Sequence, residues 1–278
     1  MMNKNEEISQ TDYISTDVLN RMSLTLDYDL TFDTGDIVPK LWHWLFFLPH
    51  VKASEEGTDG HPETGGFIPS IEGLDRRMWA GSRFRFHNDL HASKYARKTS
   101  RVVSVTEKQG RSGGLGFVLV RHEVYQDDRH VLSEEHDIVY KQAPKSETTV
   151  DKVNATLSAP AKTAQWSETI KPNPVLLFKY SALTFNGHRI HYDRDFCKNE
   201  FGFPGLVVQG PLIATLLIEL IRKNMPDADV REYAFRIKGP IFDFQTFQVE
   251  GCRDGDVVSL WAVNDSGLET VSAQARIK

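Results

Sequence analysis

The stretch from Gly210 to Lys223 constrains the fold most. Pro211 suits the first helical turn, where its missing donor is not needed. Leu212, Ile213, Leu216, Leu217, Leu220 and Ile221 then recur at helical spacing. Arg222 and Lys223 complement the dipole at the carboxyl end, and Asn224-Met225-Pro226 stops the helix. An apolar face this wide predicts a sheet wrapped around it. Strand patterns follow at 230–238, 241–251, 257–263 and 269–277, the third after an Asp254-Gly255 hairpin signal.

The first half carries a similar plan. Ser15, Thr16 and Asp17 offer N-caps for a short helix ending near Met22, because their oxygens accept from unpaired first-turn amides. Alternating Arg83-Phe84-Arg85-Phe86 opens a series of strand patterns through 101–108, 115–125 and 131–140, an antiparallel meander following a helix. Residues 39–48 and 174–183 share Pro at the first position and Leu at the third and tenth. Their offset is 135 residues, near half of the 278-residue chain, where a duplicated domain would place it. Residues 52–73 are dense in Gly, Pro, Ser and Glu and lack periodicity, which predicts a long loop, either a lid or rim or a plain surface excursion. The expected architecture is α+β, a tandem (double) hot-dog in which each antiparallel sheet wraps a central helix. Residues 1–145 form the N-terminal half, 146–162 a linker, and 163–278 the C-terminal half.

The net charge of −5 is spread along the chain, which gives no nucleic-acid stripe and no polybasic membrane patch. Cys197 and Cys252 are too few for a disulfide framework and lack metal-ligand spacing, usage that suits a reducing cytoplasm. The first twenty residues lack the basic-then-apolar order of a signal peptide. Pro49 and His50 interrupt one long apolar stretch, and Gln209, Pro211 and Glu219 the other. A soluble cytoplasmic protein is expected, with no nucleic-acid or membrane partner and with sheet edges able to support a homo-oligomer.

Chemistry concentrates in residues 183–193, where Asn186, His188 and His191 fall within six residues. A sharp bend at Asn186-Gly187 would let Asn186 and His191 converge on one pocket. Neutral imidazole accepts a proton near neutral pH and returns it; the Asn186 carboxamide can hold a water or orient His191. Capping or packing roles would also account for both histidines. His-x-x-His alone does not make a metal site, since further ligands are not evident, and no metal is expected. Downstream, Gly210 opens the long helix, whose free amides and positive dipole end suit a developing oxyanion.

Residues 186–191, Asn-Gly-His-Arg-Ile-His, with Pro204-Gly-Leu-Val-Val-Gln-Gly-Pro-Leu212, resemble the MaoC-like and type 2 enoyl-thioester hydratases. In particular they are similar to the branch of 3-hydroxyacyl-thioester dehydratases containing mesaconyl-C4-CoA and itaconyl-CoA hydratases. Arg76-Arg77-Met78-Trp79-Ala80-Gly81 is also similar to that branch. The resemblance implies a double hot-dog that reversibly hydrates an α,β-unsaturated acyl-CoA, with no cofactor beyond the substrate's own CoA. The wider family's motif is Asp-x-Asn-x-x-His. Here Asn186 and His188 occupy the Asp and Asn positions, while His191 and the oxyanion-binding Gly210 match.

Loss of that carboxylate leaves His191 as the principal base, Asn186 as a water-positioning group, and His188 or Asp193 as candidate second proton carriers. A dicarboxylyl thioester such as itaconyl- or mesaconyl-C4-CoA needs a cation for its free carboxylate, for which Arg189, Arg76 and Arg77 are candidates, with Trp79 beside them. Alternatives are a dehydratase of acyl-carrier-protein thioesters, a thioesterase, and a non-catalytic acyl-thioester-binding subunit. The first half, which has no counterpart of residues 186–191, is expected to bind substrate without catalysing.

Overall fold

The computed structural model describes residues 7–63, 67–74, 76–110, 113–142 and 149–278. They divide into two compact units, Met1–Lys145 with Thr184–Gly187, and Ser146–Leu183 with His188–Lys278. The boundary therefore falls inside the Asn186 to His191 motif as well as near residue 145.

In unit 1, β1 (Glu7–Tyr13) leads into α1 (Thr16–Thr25), and β2 (Arg76–Phe86), β3 (Tyr95–Gly110), β4 (Gly113–Gln126) and β5 (Arg129–Lys141) follow. The antiparallel order is β1-β3-β4-β5-β2. Ser15 stands at the N-cap of α1, but its side chain makes no capping bond, and the helix runs to Thr25 instead of stopping near Met22. Ser23 is what closes it, its Oγ donating to the Tyr28 carbonyl at 2.9 Å and accepting from the Leu30 amide at 3.2 Å.

In unit 2, α2 (Val150–Asn154) and β6 (Trp166–Ile170) precede α3 (Pro174–Leu183), α4 (Arg194–Phe201) and α5 (Gly210–Asn224). The strands β7 (Val230–Ile237), β8 (Phe247–Asp254), β9 (Val257–Val263) and β10 (Glu269–Ile277) complete it. Its antiparallel order, β6-β8-β9-β10-β7, is the unit 1 order repeated strand for strand. The duplication is real, but its marker is not the ten-residue match. Residues 174–183 form α3, whereas 39–48 contain only a 3₁₀ turn at Trp42–Leu45, entered through Leu41 at φ 70°. Corresponding strands start 159 residues apart (Glu7 and Trp166) and 154 apart (Arg76 and Val230), not 135.

The helix α5 is buried continuously from Leu212 to Ile221 and packs against β6, β8, β9 and β10, as its apolar face requires. The Tyr233 hydroxyl donates to the Ala214 carbonyl at 2.9 Å, tying β7 to the helix. In unit 1 the place just before its second strand is filled differently. No long helix stands there among the described residues; 51–63 and 67–74 are loop with one 3₁₀ turn at Ala53–Glu55. Ile71 and Leu74 of that loop join Val118, Val120, Ile138 and Tyr140 in one apolar cluster, and the Tyr140 hydroxyl donates to the Pro69 carbonyl at 2.9 Å.

Of the expected linker, residues 149–162 are described and belong to unit 2, the rest lying outside the described residues. Here α2 is capped by Thr149, Val153 is buried, and Asn154 bonds Asn264 and Ser266. The segment is docked instead of spanning freely.

A Cβ at Gly116 on β4 would meet Ile71 Cδ1 at 2.3 Å and the side chains of Leu74 and Tyr140 at 3.2 Å. Gly116→Ala should lower stability by about 1–3 kcal/mol through overpacking, read as a reduced denaturant midpoint with an unchanged slope.

Candidate active site

Unit 2 builds half of the motif from a 3₁₀ turn, Arg189–His191, followed directly by α4. Asp193 caps α4, its Oδ1 accepting from the Phe196 amide at 2.9 Å, and Gly202 at φ 62° ends it in the left-handed conformation. Asp193 Oδ2 also accepts from Arg189 Nε at 3.0 Å and Nη2 at 2.7 Å, while the Arg189 guanidinium lies 4.1 Å from the Phe196 ring centre. The Phe196 amide and then Arg189 hold the Asp193 carboxyl below its ordinary value. Asp193, expected as a candidate second proton carrier, is instead an ionised helix cap. Arg189, expected as a carboxylate partner, is engaged with it.

His191 is buried, and its Nδ1 donates to the Val207 carbonyl at 2.7 Å. A carbonyl can only accept, so Nδ1 carries the proton and Nε2 is the acceptor nitrogen of the neutral ring. The Val207 amide in turn donates to the Ile190 carbonyl at 2.9 Å, a reciprocal clasp between the turn and the strip that enters α5. Asp243, buried, holds the same strip by accepting from the Leu206 amide at 2.9 Å and pairing with Arg194. Only Gly fits at 205, where a Cβ would lie 2.7 Å from Asp243 Oδ1 and 2.8 Å from the Phe244 ring. Gln209 then locks the helix start, its Nε2 donating to the Leu177 carbonyl and Ser181 Oγ of α3.

Gly210 follows three residues after Val207, so their Cα atoms are within about 11 Å of one another. A Cβ at Gly210 would collide with Ile237 Cδ1 at 2.2 Å, and its amide has no acceptor among the described residues. Unit 2 thus carries an oriented imidazole and, three residues after the Val207 carbonyl that orients it, a helix-terminal amide with no acceptor among the described residues. His188 is buried with its ring 5.4 Å from that of His191, nearly perpendicular to it, and 5.9 Å from Phe201.

The remaining expected residues lie in unit 1. Asn186 is half-buried, and the sharp bend before it is taken by Phe185 at φ 48°, not by the Asn186-Gly187 pair. Arg76 and Arg77 open β2 half-buried, and Arg77 Nη2 donates to the Pro62 carbonyl at 3.4 Å. Trp79 Nε1 donates to Ser82 Oγ at 3.0 Å, and its ring lies 4.0 Å from that of His136.

Trp79 is thereby part of a buried polar cluster that the sequence reading did not single out. Glu134 is 3% exposed and accepts from Ser82 Oγ at 3.1 Å and Trp44 Nε1 at 3.2 Å, and His43 Nε2 lies 3.3 Å away. Burial alone would raise its carboxyl, but the hydrogen bond from His43 and the neighbouring imidazoles bring it down to about 2. Desolvation lowers His122 to about 3 and His136 to about 4. The signal was available: Leu132, Glu134, His136, Ile138 and Tyr140 alternate along β5 and share one face.

The shifts share one sign. Between the ordinary histidine value of 6.5 and the lowered folded values, the unfolded chain binds protons that the folded chain does not. Stability is therefore full above pH 6.5 and declines as pH falls, with Glu134 adding to the loss below 4.5. Thermal midpoints should drop steadily from pH 7 to pH 4, and His136→Asn should flatten that dependence.

Comparison with known proteins gives consistent matches. The family model for hydroxyacyl-thioester dehydratase type 2 matches residues 41–243. Mesaconyl-C(4)-CoA hydratase of Chloroflexus aurantiacus is 39% identical over 277 residues, covering 97% of this chain and 96% of that one. The crystal structure of a MaoC-like dehydratase from Phytophthora capsici superposes with a TM-score of 0.70 at 14% identity, covering 98% of this chain and 95% of that one. A Mycobacterium tuberculosis protein described as a double hotdog fold gives 0.59 at 14% identity, covering 100% and 97%. The fold is a double hot-dog.

Proposed function

Because this chain belongs to the hydroxyacyl-thioester dehydratase type 2 family, and is thus a hydro-lyase of acyl thioesters, we propose that it hydrates a C5 dicarboxylyl-CoA reversibly. The preferred substrate is mesaconyl-C4-CoA, giving citramalyl-CoA, with itaconyl-CoA as the next choice. Similarity to the Chloroflexus enzyme along nearly the whole chain supports this choice. The observation that carries the mechanism is the His191 to Val207 hydrogen bond, which fixes the tautomer that leaves Nε2 basic.

In this reading, His191 Nε2 takes a proton from water as the water oxygen bonds to the β-carbon. The alkene electrons move toward the thioester carbonyl, the Gly210 amide receives the negative charge that develops on its oxygen, and the resulting enolate forms its C–H bond at the α-carbon with the proton returned by the His191 imidazolium. Asn186 positions the water. His188, packed perpendicular to His191, limits its ring rotation. Arg77 is the preferred partner for the free carboxylate, since Arg189 already gives two donors to Asp193. A bidentate guanidinium–carboxylate contact would then distinguish dicarboxylyl from simple acyl substrates.

The purified chain should remove the conjugated thioester absorbance of mesaconyl-C4-CoA without releasing thiol. His191→Gln should cut kcat by about 10²-fold or more, as expected for loss of a general base. Near-normal turnover by that variant would remove His191 from the mechanism, and thiol release by the wild-type chain would make it a thioesterase. Arg77→Met should raise KM for mesaconyl-C4-CoA while leaving KM for crotonyl-CoA nearly unchanged; an equal rise for both would exclude Arg77 as the carboxylate partner.

A further inference from the structure

The place of a side chain at Gly210 is taken by a neighbour. A Cβ there would lie 2.2 Å from Ile237 Cδ1 and 3.3 Å from Ile237 Cγ1, so Ile237 already fills the space. In a helix every Cα–Cβ bond tilts toward the amino end, the direction in which the first-turn N–H groups also point. Ile237 Cδ1 therefore stands at the amino end of α5, on the side from which an acceptor reaches the Gly210 amide. Bond lengths place it within about 5 Å of the Gly210 nitrogen.

This methyl is held firmly. Ile237 ends the inward row of β7 after Tyr233 and Phe235, both buried, and it pairs with Val271 of β10. Directly beyond it the Lys238 and Gly239 amides both donate to the Thr270 carbonyl, at 2.8 and 3.2 Å. Thr270 is itself buried, and its Oγ1 donates to the Ala262 carbonyl at 3.1 Å. Branching at Cβ further restricts the Ile237 side chain. Unlike Tyr233 and Phe235, Ile237 is only half-buried, which leaves apolar surface open beside an amide with no acceptor among the described residues. Gly210, Ile237 and Thr270 all belong to unit 2.

We propose that Ile237 is a specificity-determining residue of this enzyme, excluding acyl thioesters that carry a substituent on the α-carbon. The assignment rests on the hydratase reading above, with Gly210 as the oxyanion donor. The thioester oxygen then lies about 2.9 Å from the Gly210 nitrogen, on the side where Ile237 Cδ1 stands. Three bonds separate that oxygen from an α-methyl, so the two stay within about 4 Å of each other in either rotamer, and the methyl meets Ile237. A β-substituent is one bond farther out and can extend away from the wall. Mesaconyl-C4-CoA carries its methyl and its free carboxylate on the β-carbon and is accommodated. The isomer with CoA on the other carboxyl carries the methyl on the α-carbon and is excluded.

Ile237→Val deletes Cδ1, the atom over Gly210, and keeps the β-branched stem. The test compares kcat/KM for crotonyl-CoA and methacrylyl-CoA, isomers with the methyl on the β- and the α-carbon respectively. Wild type, Ile237→Val and Ile237→Ala are measured, with thermal midpoints to verify folding. Wild type should favour crotonyl-CoA, and the ratio should fall by about 10-fold or more in Ile237→Val and further in Ile237→Ala, as expected when one methylene decides the fit of an apolar pocket.

Loosened packing alone would lower both substrates together. An unmoved ratio would therefore overturn the assignment even if both rates drop, as would equal turnover of the two isomers by wild type; either result leaves the hydratase reading standing. Failure of the wild-type chain to hydrate both crotonyl-CoA and mesaconyl-C4-CoA would overturn that reading and the specificity assignment with it.

Discussion

The hydrogen bond from His191 Nδ1 to the Val207 carbonyl is the interaction on which the rest of unit 2 depends. It selects one tautomer of a buried imidazole, and with the Val207 to Ile190 bond it fixes the turn of the motif to the strip that becomes α5. The strip has little freedom of its own. Asp243 holds its Leu206 amide, Gln209 anchors its end to α3, and α5 is immobilised by a surrounding sheet along its buried length. The orientations of the His191 imidazole and of the Gly210 amide are consequences of one packed assembly.

The two units have the same strand order but different contents. Unit 2 wraps a fifteen-residue helix; unit 1 covers its sheet with a loop and keeps a buried carboxylate among imidazoles and indoles. A buried charge is tolerated only when its oxygens are satisfied, and Glu134 meets that condition through Ser82, Trp44 and His43. Among the described residues, no helix is long and apolar enough to cross a membrane.

Much of unit 2 was legible because its signals are local and redundant. The apolar spacing and Gly-Pro start of α5 located the helix, and β9 and β10 fell on the predicted residues because turn signals bounded them on both sides. The Asp193 cap and Gly202 terminus of α4 were present in sequence, but a short polar helix between a motif and a Gly/Pro-rich turn gives little periodicity to find it by. The tandem plan was legible as strand order, not as residue similarity, because Pro and Leu recur at 39–48 and 174–183 in segments with different conformations. His191 and Gly210 were findable from pattern. Asp193 and Arg189 were not assignable from it, since only the fold reveals that each occupies the other. Glu134 was hidden because it lies in no motif: it is a polar residue on the inward face of a strand.

Where water and protons go is the central claim, and isotopic labelling tests it most directly. Mesaconyl-C4-CoA turned over in deuterium oxide should give an intact CoA thioester, heavier by one water and carrying one non-exchangeable deuterium on the carbon next to the thioester carbonyl. Free CoA with an unlabelled, still unsaturated acid would instead place the water at the carbonyl and contradict hydration.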